Sequence, residues 1–156
     1  MTVDASNKNP KSLAARIAET MEARGVQRMF GVPGGGSSLD LIDAAADHGI
    51  EFVLCRTENA AGIMASVTGE LTGVPGVVLT GIGPGAASVV NGVAYASLER
   101  APIIVITDAH DESATAPPHQ IFDQQSLFRP ISKAQQRLTP ADGATSFERL
   151  FGLAST

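Results

Sequence analysis

The chain has 156 residues, a hydrophobic fraction of 44% and a formal net charge of −5. A chain of this length buries enough surface to fold as one domain, and its single cysteine excludes an internal disulfide framework and any multi-cysteine metal site. The mild negative charge, without a cluster of Lys or Arg, argues against nucleic acid and anionic membranes as partners. The polar start and the lack of a long apolar run predict a cytoplasmic protein without a membrane span.

Residues 1–11 are polar, and we predict a disordered lead-in followed by one domain over residues 12–156. The first element is a helix from Ser12 to Arg24, because apolar residues recur there at every fourth position. A short strand over residues 26–30 follows. Ser38 then has the side chain of a helix cap, and the predicted inner face of that second helix consists of Leu39, Ile42 and Ala46.

The rest of the chain alternates short apolar runs with helical segments. Strands are predicted over 50–55, 76–79 and 102–107, and helices over 60–71, over 86–98 and from residue 147. Apolar runs without polar alternation are typical of a parallel sheet that is covered on both faces. The sequence therefore predicts an α/β fold with a doubly wound, mainly parallel sheet and helices on both faces. Right-handed crossovers would bring the loops 31–37, 55–58, 80–85 and 107–111 to the carboxyl edge of that sheet.

Two glycine-rich loops lie at this predicted edge. Residues 81–86 satisfy the loose G-x-G-x-x-G/A pattern of a dinucleotide site, and Asp108 follows at a suitable distance. Against that interpretation, the loop follows the third strand rather than the first, and Pro84 lacks the amide donor that a pyrophosphate requires. The second loop, 31–36, has an equal claim. A nucleotide-binding protein that uses the 81–86 loop stays an alternative, as do glycines that serve only tight turns.

Glu58 opens a helix that carries almost no other charge. A first-turn acid can simply complement the helix dipole, with Thr57 as the cap. Its place beside both glycine loops, with small residues behind it, favours a role in a site. Other candidates are weaker: Cys55 is expected to be a spectator thiol. The histidines and acids of the loop after the last strand are expected to be solvated rather than to bind a metal, and they are Asp108, His110, Asp111, Glu112 and His119.

Several short motifs occur in one order along the chain: Gly31-Val-Pro-Gly-Gly, Arg56-x-Glu-x-Ala-Ala, Gly83-Pro-Gly, the run 101–107, and Gln120-x-x-Asp. In this combination the chain, from about residue 12 to 138, resembles the N-terminal pyrimidine-binding domain of thiamine-diphosphate-dependent enzymes of the acetolactate synthase type. The resemblance implies that Glu58 hydrogen-bonds the N1′ nitrogen of the cofactor's aminopyrimidine. That bond favours the tautomer that removes the proton from thiazolium C2, and the cofactor then serves as electron sink for decarboxylation of a 2-keto acid.

The resemblance also implies roles for residues on either side of Glu58. The aminopyrimidine would be lined by Pro33, Gly81, Pro84 and Ser88. The reacting centre would be faced by Gly34, Gly35 and Gln120. The chain departs from the family pattern at Ile82, where Ser is common, and at Ser88, where Asn is usual, so a related decarboxylase or carboligase fits as well as an acetolactate synthase.

The family binds the diphosphate through Mg²⁺ on a domain that carries a Gly-Asp-Gly segment, and this chain has no such segment. We therefore expect no metal ligand here, a Mg²⁺-binding domain outside this chain, and an active site completed by a partner domain or subunit in a homo- or hetero-oligomer. The chain is expected to be a truncated piece or one subunit of a split enzyme, inactive alone. The small-residue helix 58–71 and the helix after Gly85 are predicted partner contacts. A non-catalytic interaction or regulatory module with the same fold is the remaining alternative.

Overall fold

The computed structural model of the chain describes residues 11–110, 119–120 and 122–156. All of the predicted lead-in 1–11 except its last residue, together with the candidates Asp111 and Glu112, lies outside the described residues. The described part contains a four-stranded parallel sheet in the order β2-β1-β3-β4. Its strands are β1 (Arg28–Val32), β2 (Glu51–Leu54), β3 (Gly76–Thr80) and β4 (Ile103–Thr107).

Helices cover both faces of this sheet. They are α1 (Leu13–Ala23), α2 (Ser37–Asp47), α3 (Glu58–Thr72), α4 (Pro84–Ser88), α5 (Val90–Glu99), α6 (Gln124–Phe128) and α7 (Gly143–Ala154), with a 3-10 turn at Arg129–Ile131. One apolar cluster joins α1, α2 and α7 to one face, and a second joins α3 and α5 to the other. The predicted doubly wound α/β fold is thus confirmed.

Strand β3 is one of the two inner strands of the sheet, and its surroundings explain why its residues are almost all apolar. Val77 and Leu79 pack into the cluster of α1, α2 and α7, whereas Val78 packs against α3 and α5. Successive side chains of a strand point to opposite faces, so a strand covered on both faces buries every position. All five residues of β3 are buried.

Helix α3 approaches its neighbours through glycine and alanine. A Cβ on Gly62 would lie 2.9 Å from Gly92 Cα, and one on Gly92 would lie 2.8 Å from Gly62 Cα. Ala61, Ala65 and Ser66 are fully buried within the chain. The close backbone approach of these small residues thus occurs between α3 and α5 of the same chain, and contact of the two helices with a partner stays a prediction.

The predicted inner face of α2 is wrong at two positions. Leu39 is 50% exposed and Ala46 is exposed, while Ile42 packs against the core as predicted. The helix begins at Ser37 with Gly36 as its N-cap residue, so Ser38 is not the cap. This start places Ser38, rather than Leu39, on the buried side, where the sequence pattern gave no reason to expect a polar side chain.

Two further boundaries differ from the expectation. The segment predicted as one helix over 86–98 forms α4 and α5 with a break at Val89. Pro84 stands in the first turn of α4, where a missing N–H costs no hydrogen bond. The last helix begins at Gly143 rather than at residue 147.

Among the described helices, none combines the length and apolarity that a membrane crossing needs.

We predict that Gly92→Ala lowers the stability of the fold by about 1–3 kcal/mol, because the added methyl meets the backbone of α3 and forces two packed helices apart. Gly152→Ala is the matched control, since a Cβ there meets no atom within 4 Å. That change should be neutral or stabilising by up to about 1 kcal/mol through helix propensity. Urea unfolding of both variants gives the comparison, and equal midpoints would contradict the close packing of α3 and α5.

A second prediction concerns the start of α6. Hydrogen bonds from the hydroxyl and the amide of Ser126 lower the pKa of Asp123 below its usual value. Because the folded pKa is the lower one, the contribution of this cap is complete above the usual aspartate value of about 3.9 and is lost as the pH falls through the folded pKa. The Ser126 amide should therefore titrate in NMR spectra with a midpoint below about 3.9. Asp123→Asn should abolish that titration, and a midpoint at the ordinary value would refute the cap.

Candidate active site

The two glycine loops meet at the carboxyl edge of the sheet. A Cβ on Gly34 would lie 3.0 Å from Gly81 Cα, and one on Gly81 would lie 3.1 Å from Gly34 Cα. The loops that follow β1 and β3 therefore touch backbone to backbone, and a side chain on either glycine would require the other loop to shift. This confirms the prediction that the loops after the parallel strands lie together.

Glu58 faces the second of these loops. Thr57 caps α3 by accepting a hydrogen bond from the Ala60 amide at 3.1 Å, as predicted, so Glu58 occupies the first position of the helix. The side chain is half-buried, and its Oε1 would lie 3.5 Å from a Cβ on Gly85. Within the described part of the chain, no hydrogen bond or ion pair engages this carboxylate. It is thus directed at the loop and free to bind an incoming polar atom.

Asp108 holds the start of α2 against the end of β4, so the expectation that this acid is merely solvated is wrong. Its Oδ1 accepts a hydrogen bond from Ser37 Oγ at 2.5 Å, and its Oδ2 accepts one from Ser38 Oγ. The second bond explains how the buried Ser38 hydroxyl is not left without a partner. The only sequence signal was the pair of serines directly after the glycines of one loop and an acid directly after another strand.

Gln124 bridges the same aspartate to the second glycine loop. Its side-chain carbonyl accepts a hydrogen bond from the Gly83 amide at 3.1 Å, and its Nε2 donates to the Asp108 carbonyl at 3.3 Å. With the Gly83 amide engaged and Pro84 lacking one, this loop offers few donors to a pyrophosphate. The geometry therefore disfavours the dinucleotide alternative. Nothing in the sequence around Gln124 indicated its role.

The remaining predicted site residues lie at or near this edge in different settings. Pro33 is half-buried, whereas Gly34 and Gly35 are exposed on the first loop. The backbone of Gln120 lies against Gly83, where a Cβ would meet its carbonyl oxygen at 2.0 Å. Pro84 and Ser88 are exposed on α4. Ser88 Oγ donates to the Pro84 carbonyl at 2.8 Å, so its hydroxyl is engaged within the helix.

The histidines after β4 contact each other. The ring of His110 lies 5.5 Å from that of His119, and its Nε2 lies 2.7 Å from the His119 carbonyl oxygen. Over the described ranges, no three or more His, Cys, Asp or Glu side chains cluster in a way that would hold a metal ion.

Comparisons with known proteins show the family to which the chain belongs. Residues 11–127 match the family described as "Thiamine pyrophosphate enzyme, N-terminal TPP binding domain". The chain is 35% identical over 135 residues to an acetolactate synthase of Bacillus subtilis, covering 82% of this chain and 23% of that protein. It is 33% identical over 128 residues to a catabolic acetolactate synthase of Raoultella terrigena, covering 81% and 22%.

A relative with another name gives a similar result. The 2-hydroxyacyl-CoA lyase of Saccharomyces cerevisiae is 33% identical over 125 residues, covering 80% of this chain and 22% of that protein. The chain thus spans less than a quarter of the length of these three relatives. Because the family match extends from residue 11 to residue 127, over most of the chain, the chain belongs to the thiamine pyrophosphate enzymes and represents their N-terminal TPP binding domain.

Proposed function

We propose that the chain provides the pyrimidine-binding half of a thiamine diphosphate site in a 2-keto acid decarboxylase or carboligase of the acetolactate synthase type. Glu58 hydrogen-bonds the N1′ nitrogen of the aminopyrimidine in this proposal. The observation that carries it is the half-buried carboxylate of Glu58, which lies against Gly85 and has no partner among the described residues. A carboxylate held in that state is suited to share a proton with a ring nitrogen.

The surroundings of Glu58 fit a flat heterocycle. A Cβ on Gly85 would meet only Glu58 Oε1 at 3.5 Å and Thr80 Cβ at 4.0 Å, so the wall of the loop carries no side chain that competes for the space. In the proposal, Pro33, Gly81, Pro84 and Ser88 line the aminopyrimidine. When bound, thiamine diphosphate supplies an electron sink for the loss of CO₂ from a 2-keto acid.

The substrate side of the proposed site is formed by the first loop and the segment before α6. Gly34 and Gly35 are exposed and lack side chains, and Gln120 lies against Gly83. These three residues would face the reacting centre, with room for the substrate beside the backbone. Glu58 would hold the proton at the pyrimidine nitrogen.

We further propose that the diphosphate and Mg²⁺ are bound by another domain or a partner subunit, in a homo- or hetero-oligomer. The relatives are more than four times as long as the matched region, which leaves ample sequence for such a domain. Mg²⁺ prefers carboxylate, amide and water oxygens together with the phosphates. Residues 12–156 form the pyrimidine-binding unit in this proposal. A cytoplasmic location is consistent with the free thiol of Cys55.

We predict that Glu58→Gln slows exchange of the thiazolium C2 proton by about 100-fold or more, because an amide cannot share a proton with N1′ as a carboxylate does. The measurement is NMR-detected deuterium exchange in the assembled enzyme that contains this chain. Glu70→Gln is the matched control, since Glu70 lies exposed on the same helix α3. Unchanged exchange in the Glu58 variant would contradict the proposal that Glu58 shares a proton with N1′. An assembled enzyme that does not decarboxylate a keto acid would favour the alternative of a non-catalytic interaction or regulatory module.

The space beside Glu58 gives a separate prediction. Gly85→Leu should raise the KM for thiamine diphosphate by about tenfold or more, because the new side chain fills the wall that the aminopyrimidine would contact. Leucine is a good helix former and Gly85 lies within α4, so the fold should persist. Gly152→Leu is the control, at a position where a Cβ meets no atom within 4 Å. An unchanged KM with intact folding would show that the ring does not bind at this loop.

A further inference from the structure

Asp108 occupies an unusual position at the carboxyl edge, because its side chain and its backbone contact different loops. The side chain accepts both serine hydroxyls at the start of α2. The N-cap residue of that helix is Gly36, which has no side chain to cap it. The carboxylate of Asp108 thus places a negative charge near the positive end of the α2 dipole.

The backbone of Asp108 forms hydrogen bonds to residues at the second glycine loop. Its amide donates to the Thr80 carbonyl at 3.1 Å, at the point where β3 ends and that loop begins. Its carbonyl accepts from Gln124 Nε2, and the same Gln124 accepts from the Gly83 amide. A continuous series of hydrogen bonds therefore connects the start of α2 to the loop that faces Glu58.

Asp108 also lies directly behind the first glycine loop. A Cβ on Gly34 would lie 2.7 Å from Asp108 Oδ2 and 3.0 Å from Gly81 Cα. Gly34 is thus held between the aspartate and the second loop, and its position depends on both. Moving the carboxylate would change the packing against Gly34.

We infer that Asp108 is a positioning residue for the proposed site, and that it fixes the first glycine loop on the substrate side by holding Ser37 and Ser38. The inference rests on the proposed function. Among the described residues, no hydrogen bond joins Asp108 to Glu58, and no Asp108 atom lies within 4 Å of a Cβ on Gly85. It therefore acts on the substrate side of the site rather than on Glu58. Its loss should therefore impair keto-acid turnover more than activation of the cofactor.

The first test needs no cofactor and uses amide hydrogen exchange in the 156-residue chain. The amides of Leu39 and Asp40 donate to the Gly36 carbonyl at 3.0 and 3.2 Å and report on the start of α2. Asp108→Asn replaces one acceptor oxygen by an NH₂ group, so these amides should exchange about tenfold faster. Asp142→Asn is the matched control, because Asp142 also accepts a hydroxyl hydrogen bond at a helix start, from Thr139 at 2.5 Å.

The second test separates positioning from a general structural effect. In the assembled enzyme, Asp108→Asn should lower kcat/KM for the 2-keto acid by about tenfold or more, since a small displacement of a positioning group is costly. The C2 exchange rate should stay within about threefold of the parent, because Glu58 is untouched. The double variant Ser37→Ala with Ser38→Ala should reproduce this split, and it decides the matter if Asp108→Asn fails to fold.

Unchanged exchange at Leu39 and Asp40 together with unchanged turnover would overturn the inference. So would a loss of C2 exchange equal to the loss of turnover. If Glu58→Gln leaves C2 exchange unchanged, the proposed function fails, whereas the hydrogen-exchange result still decides whether Asp108 holds the loop.

Discussion

The contact between the two glycine loops is the constraint on which the rest of the site depends. Gly34 and Gly81 touch through their backbones at the ends of β1 and β3, so that a side chain on either would push the other loop away. Neighbouring parallel strands end at the same edge, so the sheet itself brings these loops together. What remains beside them is a wall of backbone, and Glu58 is directed at the part of it that Gly85 forms.

The close packing of α3 against α5 keeps Glu58 beside this wall. Gly62 and Gly92 let α3 and α5 approach so closely that the start of α3, with Glu58, is held near the loop of Gly85. Asn91 Nδ2 donates to Asn59 Oδ1 at 3.0 Å and joins the two helices next to Glu58. A free carboxylate is thereby positioned by its helix rather than by partners of its own, which leaves its oxygens available to a ligand.

Much of the fold was predictable because hydrophobic periodicity and strand runs are local properties. The strands, their parallel arrangement, the cap at Thr57 and the meeting of the loops followed from such patterns. The buried face of α2 did not, because burial of Ser38 depends on Asp108, 70 residues away in sequence. The bridge through Gln124 to Gly83 spans 41 residues and likewise has no local signal. Long-range polar pairing is decided by the tertiary structure, and a pattern of residue types cannot show it.

The central claim is that Glu58 bonds the ring nitrogen of the aminopyrimidine. The most direct measurement is the ¹⁵N chemical shift of N1′ in labelled thiamine diphosphate bound to the assembled enzyme, compared with the free cofactor and with the Glu58→Gln variant. The account predicts a shift on binding that reports a hydrogen bond to N1′ and that is lost or strongly reduced in the variant. The same N1′ shift in parent and variant, with the cofactor bound in both, would contradict it.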